Sequence, residues 1–303
     1  MKRLACLTAA IVALSALSAP AIAQELTGTL KKIKESGTIT LGHRDSSIPF
    51  SYYDDKQQPV GYALDICYKV VDAVKADLKM PNLKVKLLPV TSSTRIPLMA
   101  NGTIDLECGS TTNNAERKKQ VDFGMTDFVV KYRYVTKKSA HMDTIDDLKG
   151  KTVVSTAGTT DINAVNKLNT ERNFGMNVLA AKDHAEAFLM VETGRAAAFL
   201  MDDILLSGLV ANSKDPSEFH ISSQSLGLEP YSIMFRKDDP QFKKLVDDTM
   251  SKLYTSGGIM KIYDKWFMNP IPPKGINLNT PVGEALKRVF EHPTDSPDPN
   301  VYK

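Results

Sequence analysis

The sequence predicts an α/β fold that is built as two similar lobes. Apolar segments with strand character alternate with segments of helical periodicity, which favours mostly parallel sheets covered by helices. One pattern occurs in both halves of the chain: a helix, a glycine that ends it, an apolar strand, and polar residues after the strand. Two extended segments, 128–136 and 231–236, flank the central region and supply the two crossings that two lobes require.

The elements of the first half follow from hydrophobic periodicity. Apolar residues at three- and four-residue spacing predict helices, and apolar or alternating segments between turn residues predict strands. In order, the first half predicts a helix over 26–36, strands over 38–41 and 49–53, a helix over 61–78, a strand over 84–90, a helix over 93–100 and a strand over 103–108.

The second half repeats the alternation. The pattern predicts a strand over 152–154, a helix that begins near Thr160, a helix over 183–193, a strand over 196–201, and helices over 242–254 and 259–266. The final residues contain three prolines and predict a loosely held tail.

We therefore expect a discontinuous first lobe of residues 24–130 with 232–303 and an inserted second lobe of residues 131–231. Ligands of open α/β sheets bind beyond the carboxyl ends of the strands. Ser110 to Thr112 follow such a strand in the first lobe, and Asp202 follows one in the second. The two sets should face each other across one cleft.

The N-terminus has the pattern of a secretion signal. A cationic start is followed by an apolar segment over 4–20 and by Ala21-Ile22-Ala23, the small-x-small pattern of a signal-peptidase site. A buried helix or a membrane anchor is the alternative, but an anchor needs roughly 20 apolar residues. We expect residues 1–23 to be cleaved. Cys67 and Cys108 then remain, and they either form one disulfide or lie in the core as small residues.

Composition and motifs argue against several function classes. The 303 residues carry a net charge of +3, from 38 basic and 35 acidic residues, without a long basic block, so no nucleic-acid partner is expected. The G-x-S-x-G and H-E-x-x-H motifs do not occur. Residues 150–152 do not complete a phosphate loop, because Ile145 stands where its first glycine is needed. We predict no catalytic residue, no metal and no cofactor.

Three arginines follow strands in the first half. Arg44 comes after the first strand, Arg95 opens a short helix, and Arg117 lies seven residues beyond Ser110. Arginine binds a carboxylate through two parallel N–H bonds, and helix N-termini rich in serine and threonine add backbone donors. A single arginine is more often a surface residue. Three of them beyond strands of one lobe favour an anionic ligand.

Several segments together resemble the periplasmic glutamate/aspartate-binding proteins of ABC importers, which belong to solute-binding protein family 3. They include 42–53 (GHRDSSIPFSYY), 91–98 (TSSTRIPL), 107–117 (ECGSTTNNAER), 158–160, 181–184, 201–203, 236–244 (RKDDPQFKK), 265–267 and 269–273. The resemblance covers essentially the whole mature chain. It implies the type II periplasmic-binding-protein fold, in which two lobes joined by two hinge strands close on one amino acid.

The resemblance also implies ten ligand-contacting residues. Arg117, Thr112 and Thr160 would hold the α-carboxylate, Asp202 and Ser110 the α-ammonium, and Arg44, Ser92, Arg95 and His184 the side-chain carboxylate, with Thr159 beside them. Four of these residues have an alternative role. His184 could be a core or surface histidine, Asp202 could cap a helix, and Thr159 and Thr160 could also be caps. Without a ligand, we expect Arg44, Arg95 and His184 to have no buried partner anion.

The resemblance implies a monomeric, periplasmic binding protein that is not an enzyme. Its partners would be L-glutamate or L-aspartate and an inner-membrane ABC permease with its ATPase. The alternative is an enzyme on the same fold, such as a dehydratase that acts on a small carboxylic acid. An enzyme needs a general acid or base beside the reacting atom, and Asp202 is already required for an ammonium.

Overall fold

The computed structural model describes residues 25–303, so the predicted signal peptide lies outside the described residues. The first sheet consists of β1 (Thr38–His43), β5 (Lys84–Pro89), β6 (Leu106–Cys108), β7 (Val121–Phe123) and β14 (Met234–Arg236). Its strand order is β5-β1-β6-β14-β7. The strands β5, β1 and β6 are parallel, and β14 is antiparallel to both of its neighbours.

The second sheet consists of β8 (Phe128–Lys137), β9 (Thr152–Thr156), β10 (Asn177–Ala181), β11 (Ala198–Asp202), β12 (Phe219–Ile221) and β13 (Gly227–Tyr231). Its strand order is β10-β9-β11-β8-β12, and β13 also pairs with β8. The strands β10, β9 and β11 are parallel, whereas β8 is antiparallel to β11, β12 and β13. The chain enters this sheet along β8 and leaves it through β13 into β14.

Helices cover both sheets. They are α1 (Gly28–Ser36), α2 (Tyr62–Asp77), α3 (Arg95–Ala100), α4 (Thr160–Glu171), α5 (His184–Glu192), α6 (Asp203–Asn212), α7 (Pro240–Thr255), α8 (Gly258–Tyr263) and α9 (Glu284–Glu291). A small antiparallel sheet of β2 (Ser46–Ser47), β3 (Ser51–Tyr53) and β4 (Pro59–Val60) follows β1. Within residues 25–303, no helix is long and apolar enough to cross a membrane. This architecture confirms the predicted α/β class.

An aromatic cluster joins the two crossings. Phe128 opens β8 and Tyr231 closes β13, and their rings meet the ring of Phe50, with centroids 5.0 and 5.3 Å from it. Phe267 stacks on Phe128 at 4.9 Å. Because buried aromatic rings in such contact bury large apolar areas, they fix the two crossing segments relative to each other. A second hydrophobic core, which includes Leu148, packs on the second sheet.

The predicted loose tail is wrong. In the segment after α9, the side chain of Asp295 pairs with Lys118 and with Lys243 of α7. The Tyr302 side chain is buried, and its hydroxyl lies 2.8 Å from Thr126 Oγ1. A tail that pairs its charges and buries an aromatic ring is held by the same forces as the core.

The structure joins Cys67 and Cys108 in a disulfide. The bond connects α2 to the end of β6, directly before the loop that carries Ser110 and Thr112. It therefore fastens the base of that loop to the helix behind the sheet. The sequence had left this pairing open.

Candidate ligand site between the two sheets

Arg44 lies in the interior directly after β1. Its Nε donates to the Val90 carbonyl oxygen at 3.1 Å, and its Nη2 donates to Ser92 Oγ at 2.9 Å. The remaining Nη1 is buried without a partner among the described residues. Arg44 therefore holds the Ser92 hydroxyl in place and keeps one guanidinium nitrogen unused.

Arg95, at the start of α3, is equally buried. Its Nη1 donates to the Ser110 carbonyl oxygen at 2.9 Å and to Thr111 Oγ1 at 2.5 Å. Burial lowers the pKa of Arg95 to about 9, with the charges of Arg117 and Arg44 acting in the same direction and the charge of Glu107 acting against it. The lowered pKa of Arg95 reflects its burial close to two other cationic side chains.

The expectation that these cations lack a buried partner anion is wrong. Glu107 on β6 is fully buried, and its Oε1 lies 3.9 Å from Nη1 of Arg95. Its Oε2 accepts a hydrogen bond from Thr111 Oγ1 at 2.5 Å. One internal carboxylate thus offsets part of the positive charge of three arginines. In the sequence, Glu107 reads as a lone acid in an apolar strand, and nothing there connects it to Arg95.

Arg117 opens a short 3-10 turn and links the two sides of the site. Its Nη1 donates to the Thr112 carbonyl oxygen at 2.9 Å. Its Nη2 donates to the carbonyl oxygen of Gly158, in the loop after β9, at 3.3 Å. The backbone there is close: a Cβ on Gly158, whose φ is +79°, would lie 2.7 Å from the Ser93 backbone.

His184 begins α5 on the side of the second sheet. Its Nδ1 lies 2.8 Å from Thr156 Oγ1, and its Nε2 is buried with no partner in the part of the chain that the structure describes. Burial lowers the pKa of His184 well below its usual range, and the charges of Arg44 and Arg95 act in the same direction. The imidazole is therefore neutral at neutral pH, and it can donate a hydrogen bond without adding a fourth cation.

Asp202 closes β11 and is held by Tyr231. The Tyr231 hydroxyl donates to Oδ2 of Asp202, while Oδ1 is buried and unpartnered. Burial raises the pKa of Asp202 well above its usual range, and the nearby Asp161 charge adds to the effect. An ammonium group beside Oδ1 would favour the ionised carboxylate. Tyr231 was not predicted as a site residue, although it ends the second crossing.

Thr159 has a structural task. Its hydroxyl donates to the Thr156 carbonyl oxygen at 2.7 Å and accepts from the Ile162 amide at 3.2 Å, so it caps α4. Because a hydroxyl has one proton, Thr159 has none left for a ligand carboxylate. This is the capping alternative that the sequence left open for both threonines.

Two acids near Arg117 were missed, one buried and one half-buried. Asp161, in the first turn of α4, is buried, its Oδ1 has no partner among residues 25–303, and burial raises its pKa to about 7. Glu229, on β13, accepts hydrogen bonds from Thr112 Oγ1 and Thr160 Oγ1. Both lie in segments of ordinary polar composition, and only the fold brings them to Arg117.

The predicted residues converge on one cavity between the sheets. Eight of the ten line it: Ser92, Arg95, Ser110, Thr112, Thr159, Thr160, His184 and Asp202. Arg44 and Arg117 lie behind it and bond to two of its lining residues. The cavity holds about 10 Å³, or roughly one water molecule. An amino acid can enter only if the two sides separate.

A larger groove of about 710 Å³ lies elsewhere, between β8, α6 and the C-terminal segment. It contains none of the ten predicted residues. Among residues 25–303, no group of three His, Cys, Asp or Glu side chains could hold a metal ion. The small cavity between the sheets is therefore the candidate ligand site.

Comparisons with known proteins agree with this geometry. The family model described as bacterial extracellular solute-binding proteins, family 3, matches residues 39–269. An L-glutamate/L-aspartate-binding protein of Pseudomonas aeruginosa is 55% identical over 290 residues, which are 95% of this chain and 96% of the relative. A glutamate/aspartate import solute-binding protein of Escherichia coli is 51% identical over 88% of both chains.

Solved structures share the fold. An ancestral arginine-binding protein bound to arginine superimposes with a TM-score of 0.68 at 28% identity, and covers 76% of this chain and 98% of its own. The predicted two-lobed fold, the resemblance and the prediction of a binding protein rather than an enzyme are thereby confirmed. The chain belongs to the bacterial extracellular solute-binding proteins of family 3.

Proposed function

We propose that this protein binds L-glutamate and L-aspartate and delivers them to an inner-membrane ABC permease with its ATPase. The observation that carries the proposal is the concentration of three buried arginines at one closed cavity, where Glu107 pairs with Arg95 and Glu229 is the acid that acts most strongly on Arg117. A dicarboxylate ligand would supply the missing negative charge. The names of the relatives from Pseudomonas aeruginosa and Escherichia coli support the same ligands.

The ligand would lie with its side-chain carboxylate near Arg44, Ser92, Arg95 and His184. The unpartnered Nη1 of Arg44, Nε of Arg95 and Nε2 of His184 support this placement, because each is a buried nitrogen that lacks a partner. Unpaired buried polar groups are costly, and a carboxylate that accepts their hydrogen bonds removes that cost.

The α-ammonium would pair with Oδ1 of Asp202 and with Ser110. The α-carboxylate would lie near Arg117, Thr112 and Thr160, at the N-terminus of α4, where backbone N–H groups favour an anion. Thr159 would support this corner as the cap of α4 rather than as a ligand contact.

Residues 24–130 with 232–303 and residues 131–231 would move as two lobes about the crossings at β8 and at β13 to β14. The proposed site draws residues from both lobes, so a ligand stabilises the closed form through contacts that are lost when the lobes separate. We further propose a periplasmic, monomeric protein whose residues 1–23 are removed on export.

Calorimetric titration with glutamate, aspartate, glutamine and asparagine tests the proposal. Glu107 already offsets part of the charge of Arg95. A ligand with an amide in place of the side-chain carboxylate should therefore lose about 2–3 kcal/mol of binding free energy, or about 30- to 150-fold in affinity. Equal affinities for glutamate and glutamine would contradict a site for acidic amino acids.

A further inference from the structure

The carboxylate of Glu229 occupies the corner between the two threonines. Glu229 lies on β13 opposite Val130 of β8. Its Oε2 accepts hydrogen bonds from Thr112 Oγ1 at 2.5 Å and from Thr160 Oγ1 at 2.7 Å. The threonines come from opposite sides of the cavity, and their hydroxyl oxygens are 3.4 Å apart. One internal acid therefore bridges the two sides.

This arrangement uses the hydroxyl protons that a ligand would need. A threonine hydroxyl has a single proton, so neither Thr112 nor Thr160 can donate to a ligand while it donates to Glu229. Arg117 also spends one bond from each terminal nitrogen on the carbonyl oxygens of Thr112 and Gly158. A ligand α-carboxylate in this corner would meet a second carboxylate and two engaged threonine hydroxyls, and it would depend on the remaining N–H groups of Arg117.

Charged and titratable groups surround Glu229. The charges of Arg117 and of Arg95 on α3 act on it directly, and its own charge acts on Tyr231 of the same strand. Asp161 on α4 and Asp202 on β11 act on the same Arg117, and Lys303 lines an outer groove together with Glu229. Burial raises the pKa of Glu229 to about 7, while the Thr112 hydrogen bond and the two arginines act in the opposite direction. An added anion beside it would raise that pKa further.

We propose that Glu229 takes up one proton when the α-carboxylate of the ligand binds, and so releases the hydroxyls of Thr112 and Thr160 to the ligand. The proton comes from the buffer and is bound by the Glu229 carboxylate. The new carboxyl O–H then donates to a threonine oxygen, while the threonine protons turn to the ligand carboxylate. The inference rests on the proposed function, since it requires an amino-acid ligand in this cavity.

Calorimetry of glutamate binding in two buffers of different ionisation enthalpy, phosphate and Tris at pH 7.5, tests the inference. Asp202 acts in the opposite direction, because an ammonium group beside it favours loss of its proton. The uptake by Glu229 is therefore measured as the difference between wild type and Glu229→Gln, since Asp202 is the same in both. Wild type should take up a substantial fraction of one proton more per glutamate bound than Glu229→Gln, and by linkage its affinity should fall by about 3- to 10-fold more per pH unit between pH 7 and 8.5. An equal proton count in the two proteins would overturn the inference.

Three variants identify the group that takes up the proton. Glu229→Gln should lose this proton uptake and keep only the proton exchange of the other groups. Glu171→Gln, which removes an exposed acid of α4, and Asp161→Asn should take up as many protons as wild type. A proton count that falls in Asp161→Asn and not in Glu229→Gln would overturn the assignment. Absence of glutamate and aspartate binding in every buffer would instead contradict the proposed function itself.

Discussion

Backbone carbonyl groups hold all three buried arginines of the site. Arg44 donates to Val90, Arg95 to Ser110 and Arg117 to Thr112. A carbonyl fixes the direction of a guanidinium without neutralising its charge, so the positive charge stays available for a ligand.

Arg117→Ala should weaken binding of every amino acid, because the α-carboxylate is common to all of them. Loss of its charge-assisted bonds should cost at least about 3 kcal/mol, or about 150-fold in affinity by calorimetry. Arg95→Ala should instead reduce the ratio of glutamate to glutamine affinity. Arg195→Ala, which alters an exposed arginine, is the matched control. Near wild-type affinity in Arg117→Ala would disprove the α-carboxylate assignment.

Asp127, between β7 and β8, makes stability depend on pH. Burial raises the pKa of its carboxyl to about 8, whereas an exposed aspartate in the unfolded chain loses its proton near pH 4. Unfolding therefore releases a proton between these values, and the free energy of unfolding from this group falls as pH rises through that window.

Urea unfolding at pH 5 and pH 7.5 measures this effect. Asp127→Asn, which cannot ionise, should reduce the loss of stability between the two pH values by about 1–3 kcal/mol. An unchanged pH dependence in Asp127→Asn would show that the Asp127 carboxyl is already ionised in the folded protein.

Individual residues were predictable where a motif identified them, and not where only the fold assembles them. The ten predicted ligand residues lie in recognisable segments, and eight of them line one cavity. Asp161 and Glu229 lie among ordinary sequence, and Glu107 only begins one of the recognised segments, so the importance of all three depends on which arginine lies beside them. The charged residues can be counted in the sequence, but the sequence does not show which of them meet across the two sheets.

At the scale of elements, long periodic segments were predicted well. The helix expected over 61–78 is α2, Tyr62–Asp77, because its apolar stripe is continuous. Helix α9, Glu284–Glu291, was not predicted, although Leu286, Val289 and Phe290 are buried at helical spacing. The nearby prolines dominated the interpretation of that region, and the helix packs against α7 and β8.

Gly208 in α6 lies where the two sides of the cleft touch. A Cβ on Gly208 would lie 2.6 Å from the Ile48 carbonyl oxygen, on the first lobe as we propose it. Alanine favours a helix over glycine by about 1 kcal/mol, so Gly208→Ala should leave the unliganded protein at least as stable. It should weaken glutamate binding by about tenfold or more, because closure forces the new methyl against a backbone atom.

Calorimetry and thermal unfolding together measure this prediction. Gly283→Ala is the matched control, since nothing lies within 4 Å of the added Cβ there. Unchanged glutamate affinity in Gly208→Ala would mean that ligand binding does not bring α6 against Ile48.

At the scale of the whole molecule, the two sheets enclose the site and the two crossings join them. The aromatic cluster around Phe128 and Tyr231 holds these crossings together. Tyr231 also bonds to Asp202, so the crossing contacts the proposed ammonium site directly. Motion of one sheet against the other would thus change the ligand contacts and the crossing together.

Small-angle X-ray scattering of the wild-type protein tests the central claim most directly. We expect saturating L-glutamate to reduce the radius of gyration, because the ligand joins residues of both lobes, whereas L-glutamine at the same concentration should change it far less. Gly208→Ala should shrink less than wild type. A radius of gyration that is unchanged by saturating glutamate would contradict binding by closure of two lobes on an acidic amino acid.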